Sequence, residues 1–97
     1  MAWRIVTQPD GFYARFADPV DSFTHVNLTR EEAIDLCQDY VGRTEAVAKV
    51  DRADAEPERW KKSLDTIKLI HGVKELGAVM AEIAAGRALV PPDEALK

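Results

Sequence analysis

This 97-residue sequence has few of the residues that enzymes and metalloproteins depend on, with one cysteine, two histidines and five glycines. The single Cys37 cannot form an intramolecular disulfide, so nothing indicates an oxidising compartment. No glycine-rich phosphate loop is present, and His25, His71 and Cys37 lack the clustered spacing of a zinc site. We therefore expect a non-enzymatic protein without cofactors and without catalytic, cofactor-binding or metal-binding residues.

Long apolar runs are also missing, and none approaches the length that spans a membrane. Ala2–Trp3–Arg4 does not resemble the charged opening of a signal peptide. We expect a cytoplasmic protein with no membrane partner. Because the sequence begins with methionine, we also expect a free-standing small protein.

The overall charge is acidic, at −4 with a pI near 5.1. Wrapping nucleic acid along most of the surface is disfavoured, because phosphates need neutralising by lysine and arginine. The length fits one domain, and 46% hydrophobic with 31% charged residues is a globular balance. We predict a single small α+β domain over residues 1–90 and a flexible C-terminal tail over residues 91–97.

The N-terminal third has strand character. Trp3–Thr7 is rich in aromatic and β-branched residues, and Pro9–Gly11 is a typical turn. Alternation over 12–16 places Phe12, Ala14 and Phe16 on one face, and residues 23–27 are a candidate third strand. The predicted fold class is α+β, an N-terminal antiparallel β-hairpin or three-stranded sheet packed on about three α-helices.

Helical patterns follow. Thr29 and Glu32 match a capping box, which predicts a helix ending at Val41 before Gly42. Residues 44–50 are a candidate short helix, and residues 51–56 are interpreted as a polar connection. Helices over about 57–71 and 73–85 form either a helical hairpin or one helix kinked at Gly72. Their predicted buried seams are Trp60/Leu64/Ile67/His71 and Val73/Leu76/Met80/Ile83.

The reactive side chains have structural explanations that outweigh chemical ones. Cys37 lies mid-helix on the apolar stripe, where a buried thiol is inert. His71 is near a helix C-terminus, which favours a cation. Ser22 and His25 suggest a triad only by residue type, and residues 51–56 lack the glycine and the final glutamate of a calcium loop.

Two surfaces are candidates for interaction. Residues 59–74 carry a charge of +4 on an otherwise acidic chain, although the spacing of Lys61, Asp65 and Lys68 is also that of a solvated helix face. The hairpin edge could accept a strand from another chain, with Trp3 and Tyr13 on a side that helices leave uncovered. The candidate interface residues are Trp3, Tyr13, Arg59, Lys61, Lys62, Lys68, Lys74, Leu76 and Met80.

These observations favour a small protein-binding protein that acts by stoichiometric binding, as an adaptor, an assembly subunit or an inhibitor. A phage or mobile-element accessory protein would fit the same properties. The expected partner is another protein or a second copy of the chain in a homodimer. The alternatives are a nucleic-acid-binding protein that uses the basic helix 59–74 and a small oligomeric enzyme with a shared site.

Overall fold

The structure is a computed structural model that describes residues 3–86. The element order is three strands followed by four helices, which confirms the predicted α+β class with one helix more than expected. The elements are β1 (Trp3–Thr7), β2 (Tyr13–Ala17), β3 (Ser22–Leu28), α1 (Arg30–Val41), α2 (Arg43–Ala55), α3 (Glu58–His71) and α4 (Val73–Ala84). The predicted boundary at residue 90 and the tail 91–97 lie outside the described residues.

The sheet is an antiparallel meander in the order β1-β2-β3. The turn between β1 and β2 closes with the Gln8 amide donating to the Phe12 carbonyl at 2.8 Å, and Gly11 supplies a φ of 92°. Phe12 therefore belongs to the turn and is 42% exposed. The prediction that Phe12 shares a buried face with Ala14 and Phe16 was wrong for this residue.

Helices cover both faces of the sheet. One apolar cluster joins alternate strand residues to α1 and α2, and the other joins the remaining strand residues to α3 and α4. Because it is the central strand and both of its faces are covered, β2 is buried along its whole length. The buried members of the first cluster are Ile5, Tyr13, Leu28, Ala33, Ile34, Cys37, Ala46, Val50 and Ala53. Those of the second are Val6, Ala14, Phe16, Phe23, Val26, Ile67 and Val79.

The third strand is irregular. Its pairing with β2 shifts register twice, and Asn27 has a φ of 58°. Each extra residue turns the following side chains to the other face. Phe23 and Val26 consequently belong to the same cluster, although strict alternation in a regular strand would place them on opposite faces.

The helix α1 begins as predicted. The Glu32 amide donates to Thr29 Oγ1 at 3.2 Å, and the Thr29 amide donates to Glu32 Oε1 at 2.9 Å. This reciprocal pair satisfies two backbone amides at the start of the helix.

Replacing Thr29 with alanine should lower the free energy of unfolding by about 1 kcal/mol, because the first turn loses its side-chain acceptor. Thermal unfolding of the wild type and Thr29→Ala measures this loss. Thr44→Ala, an exposed change in α2, is the matched control. A Thr29→Ala midpoint equal to that of the wild type would contradict a stabilising role for the cap.

The second helix is longer than predicted and takes in Asp51–Ala55, which had been interpreted as a connection. Its buried stripe of Ala46, Val50 and Ala53 continues at helical spacing into that stretch. Arg30 donates to the carboxylates of Asp51 and Asp54, which ties α2 to the first turn of α1. The polar residues of this stretch therefore form the exposed face of a helix.

Each helix pair turns at a single glycine. Gly42 (φ 83°, ψ 164°) joins α1 to α2, and Gly72 (φ 94°, ψ 170°) joins α3 to α4. This combination of angles is essentially restricted to glycine. Gly72 is thus a sharp break, which decides between the two predicted alternatives in favour of a helical hairpin.

The buried seam of α3 and α4 differs in part from the prediction. Trp60, Leu64 and Ile67 pack towards the sheet as expected. In α4, however, the inward residues are Leu76, Val79 and Ile83, while Val73 and Met80 are exposed. The exposed His71 forms a hydrogen bond of 2.8 Å with the Val20 carbonyl, which connects the end of α3 to the turn between β2 and β3.

Within residues 3–86, no helix is long and apolar enough to cross a membrane.

Candidate functional site

Several predicted interface residues are not free surface anchors. Tyr13 is only 7% exposed, so its ring belongs to the core. Its hydroxyl lies 3.0 Å from Asp54 Oδ1 at the edge of that core. Leu76 is half-buried and packs against the second apolar cluster. Met80 alone among the predicted apolar anchors of α4 remains exposed, at 38%.

The basic stretch is not one continuous helix. The break at Gly72 puts Lys74 on α4, while Lys61, Lys62 and Lys68 are exposed on α3. Arg59 is half-buried and reaches β1, where its Nη1 donates to the Ile5 carbonyl at 3.4 Å. The predicted basic surface over 59–74 is therefore divided between two helices and a pocket.

That pocket, of about 170 Å³, lies where β1 meets α2 and α3. Four of its six lining residues are cationic, and of these four only Arg59 is among the interface residues predicted from the sequence. The lining residues are Trp3, Arg4, Ile5, Lys49, Arg52 and Arg59. We call this feature the basic pocket.

The edge of β1 is covered at its centre. Ile5 is 1% exposed, and its outward carbonyl is already bonded to Arg59. Addition of a partner strand along this edge, as expected from the sequence, would require Arg59 to leave. Backbone pairing with a further strand is therefore obstructed at this point of the edge.

The cations of the pocket are not equally neutralised. Arg4 is paired with Asp18 at 3.3 Å, and Arg59 with Glu56 at 3.0 Å. Lys49 and Arg52 have no carboxylate partner among residues 3–86. Positive charge is therefore available to an incoming anion on the α2 side of the pocket.

Trp3 lies between the pocket and Arg15, a cation on β2 that is not part of the pocket. The Lys49 ammonium lies 5.1 Å from the centroid of the Trp3 ring. The guanidinium carbon of Arg15 also lies 5.1 Å from this centroid, and 5.1 Å from that of Tyr40. The two rings are tilted by 58° with centroids 5.6 Å apart, so the guanidinium faces both of them. Cation–π contacts of this kind contribute about 0.5–2 kcal/mol each.

The positive charge of Arg15 reaches its buried neighbours. Desolvation, and then repulsion by Arg15, lowers the pKa of His25, which is paired with Arg15 across the sheet. Burial raises the pKa of the Cys37 thiol, although Lys49 and Arg15 oppose that shift. His25 Nδ1 lies 3.0 Å from the Thr24 hydroxyl, and the described residues contain no hydrogen bond between His25 and Cys37. The arrangement does not activate Cys37 as a nucleophile.

Cys37 should be inert in the folded protein, because the side chain is fully buried and its thiolate is disfavoured. We expect labelling by a thiol reagent at pH 7.5 to be at least about 100-fold slower than in denaturant, since reaction requires the core to open. Absorbance of the released chromophore measures both rates. Rapid labelling of the folded chain would contradict burial of the thiol.

His25 should make the folded protein less stable in mild acid. Its folded-state pKa is below the unfolded value of about 6.5, so the unfolded chain binds the proton more readily. This contribution to stability is present above pH 6.5 and is lost as the pH falls towards the lowered folded-state pKa. Denaturant unfolding between pH 7.5 and 5 measures the fall in the free energy of unfolding, which should be smaller for His25→Gln than for the wild type. The control His71→Gln should retain the part of this fall that is due to His25.

The residues that sequence reasoning missed are Arg15, Tyr40, Lys49 and Arg52. The sequence does contain one indication of Arg15. Residues 13 and 15 lie two apart in a strand and therefore share a face, so the arginine is placed on the same helix-covered face as Tyr13. The length of α2, which aligns Lys49 and Arg52 with the edge of β1, was not predicted.

Within residues 3–86, no three histidine, cysteine, aspartate or glutamate side chains form a group that could hold a metal ion. No protein-family model matches the chain, and no curated protein or solved structure is significantly similar to it.

Proposed function

We propose that this chain is a small non-enzymatic protein that binds another protein stoichiometrically, and that the basic pocket receives an acidic side chain of that partner. The observation that carries this proposal is the pair of unneutralised cations, Lys49 and Arg52, beside a pocket on an acidic protein. Guanidinium and ammonium groups arranged around a concavity bind carboxylates through charge-assisted hydrogen bonds.

The size of the pocket supports a side chain as its occupant. Sites for cofactors and drug-sized ligands usually occupy about 300–1,000 Å³. A pocket of about 170 Å³ accommodates one carboxylate-bearing side chain. Trp3 at its wall adds an aromatic surface of the kind that anchors protein interfaces.

The surrounding charges favour a protein over a nucleic acid. Asp18 and Glu56 stand beside Arg4 and Arg59 and would repel a run of phosphates. The net charge of −4 adds to this repulsion. A single acidic side chain on an otherwise neutral partner is attracted by the cations of the pocket. Such a partner has no further negative charges for the surrounding carboxylates to repel.

Compartment and self-association remain predictions. Cys37 is a buried free thiol, which is compatible with the reducing cytoplasm. The homodimer prediction now depends on Leu69, Ile70 and Val73, which are exposed at the corner between α3 and α4. Light scattering over a concentration series tests it, and a monomeric mass throughout would contradict it.

A pair of charge-reversal variants tests the proposed function. Lys49→Glu/Arg52→Glu reverses the unneutralised cations, and Lys61→Glu/Lys62→Glu makes the same charge change on the exposed face of α3. Each tagged full-length chain is purified from the organism that encodes it, and the complexes are analysed by light scattering and by absorbance at 260 nm. Thermal unfolding verifies that both variants fold.

We expect a protein partner in a fixed ratio with the wild type and with the α3 variant, and its loss from the pocket variant. Retention of nucleic acid alone, lost at raised salt, would overturn the proposal. Loss of the partner from the α3 variant but not from the pocket variant would also overturn it, and would favour the exposed lysines.

A further inference from the structure

Arg15 is a buried cation without a counter-charge. The residue is 3% exposed, and its Nε is buried with no hydrogen-bond partner. No carboxylate among residues 3–86 forms an ion pair with it. Buried arginines are almost always paired, because an uncompensated charge inside a protein is costly.

The neighbouring groups do not supply the missing charge. The Trp3 and Tyr40 rings interact with the guanidinium through their faces, but they do not accept its in-plane N–H donors. His25, across the sheet, offers no negative charge, and Cys37 is held as a neutral thiol by burial. Lys49 adds a second cation on the Trp3 ring. The cluster as a whole is positive, and the buried Nε–H of Arg15 has no hydrogen-bond partner.

We propose that the Arg15 guanidinium, framed by Trp3 and Tyr40 and assisted by Lys49, is an oxyanion-binding site whose ligand is a carboxylate. A planar guanidinium presents parallel N–H donors that match both oxygens of a carboxylate. The Trp3 ring, half-buried against the first apolar cluster, restricts the plane of the donors before the ligand arrives, so less side-chain entropy is lost on binding.

Access to the site passes Tyr40. Tyr40 is 54% exposed and lies in the last turn of α1, next to the corner at Gly42. Because Arg15 is 3% exposed, a ligand can reach its guanidinium only if a neighbouring side chain moves, and Tyr40 is the exposed side chain beside it. Trp3, by contrast, is half-buried against the first apolar cluster and remains in place.

This inference rests on the proposed function for the source of the carboxylate, which is the acidic segment of the protein partner. Trp3 lines the basic pocket and also contacts Arg15, so a partner whose acidic side chain enters the pocket lies against a residue that borders Arg15. Affinity for a simple oxyanion is measurable without that partner.

The test follows the Arg15 Nε–H signal in ¹H–¹⁵N spectra of the full chain, assigned by its absence from Arg15→Lys. Sodium acetate and sodium phosphate are titrated separately against sodium chloride at constant ionic strength and pH 7. Acetate should shift this signal saturably, whereas chloride should not. Lys49→Gln should weaken acetate binding about two- to fivefold, as for the loss of one partly exposed charge. Tyr40→Ala should strengthen it, and Lys61→Gln should leave it unchanged.

A shift that does not saturate, or that chloride reproduces, would overturn the site and leave Arg15 as a structural cation. Saturation by phosphate alone would overturn the assignment to a carboxylate. Either result leaves the proposed function standing if the pocket variant Lys49→Glu/Arg52→Glu still loses its protein partner. Loss of the proposed function with saturable acetate binding would instead show a site for a free small carboxylate.

Discussion

Phe16→Ala should lower the free energy of unfolding by about 3–5 kcal/mol, the usual cost of removing a large aromatic side chain from a core. Phe16 is 1% exposed in β2, the central strand of the sheet. Its ring meets that of Phe23 edge-on with centroids 5.9 Å apart, and Arg4 lies over it at 4.6 Å. The substitution removes these contacts together and leaves a cavity beneath α3 and α4.

Equilibrium urea unfolding measures the effect. Domains typically have about 5–15 kcal/mol of stability, so a loss of this size leaves much of the Phe16→Ala population unfolded at 37 °C if the wild type lies near the lower end of that range. Phe12→Ala is the matched control, because Phe12 lies in the turn with much of its ring in solvent. Equal losses for the two variants would contradict the division of the phenylalanines between core and turn.

Gln8→Met should be the next most damaging change, at about 2–4 kcal/mol, although it conserves volume. Gln8 is buried after the end of β1. Its Oε1 accepts from the Asn27 amide at 2.7 Å, and its Nε2 donates to Asn27 Oδ1 at 3.0 Å. Methionine fills the space but removes one hydrogen bond from the backbone amide of the half-buried Asn27 and one from its side-chain oxygen.

The loss should be transmitted to α4. Asn27 Nδ2 donates to the Ile83 carbonyl at 3.2 Å, so Gln8 orients a residue that holds the last turn of that helix. Hydrogen exchange should therefore show faster exchange in α4 than in α1 for the Gln8→Met variant. Gln38→Met, on the exposed face of α1, serves as the control. A uniform change across both helices would argue against this route.

Short-range sequence patterns predicted the start and end of α1 and the existence of the β1–β2 hairpin. The capping box at Thr29 and the glycine at 42 depend only on residues a few positions apart. The second half of α2 was not predictable in the same way, because Asp51–Ala55 looks polar in isolation. Its helicity depends on Arg30 and on burial of Ala53 against the sheet, both of which are long-range.

The site was harder to predict than the fold for a similar reason. Arg59 was singled out for its charge, but its contact with Ile5 is 54 residues away along the chain. Lys49 and Arg52 lie in a segment that carries charges of both signs, so its sequence does not indicate a basic surface. One of the two register shifts of β3 likewise includes Asn27, whose φ is positive and whose amide donates to the distant Gln8 side chain.

The glycine corners between paired helices affect how this molecule can meet a partner. Gly42 and Gly72 each end one helix and begin the next, so neither pair contains a loop that could lengthen, fold over a ligand or become ordered on contact. Within these helix pairs, adaptation at the surface then comes from side chains such as Tyr40. Association should resemble rigid-body docking, with little conformational entropy lost by the backbone and with specificity determined by the shape and charge already present in the free protein.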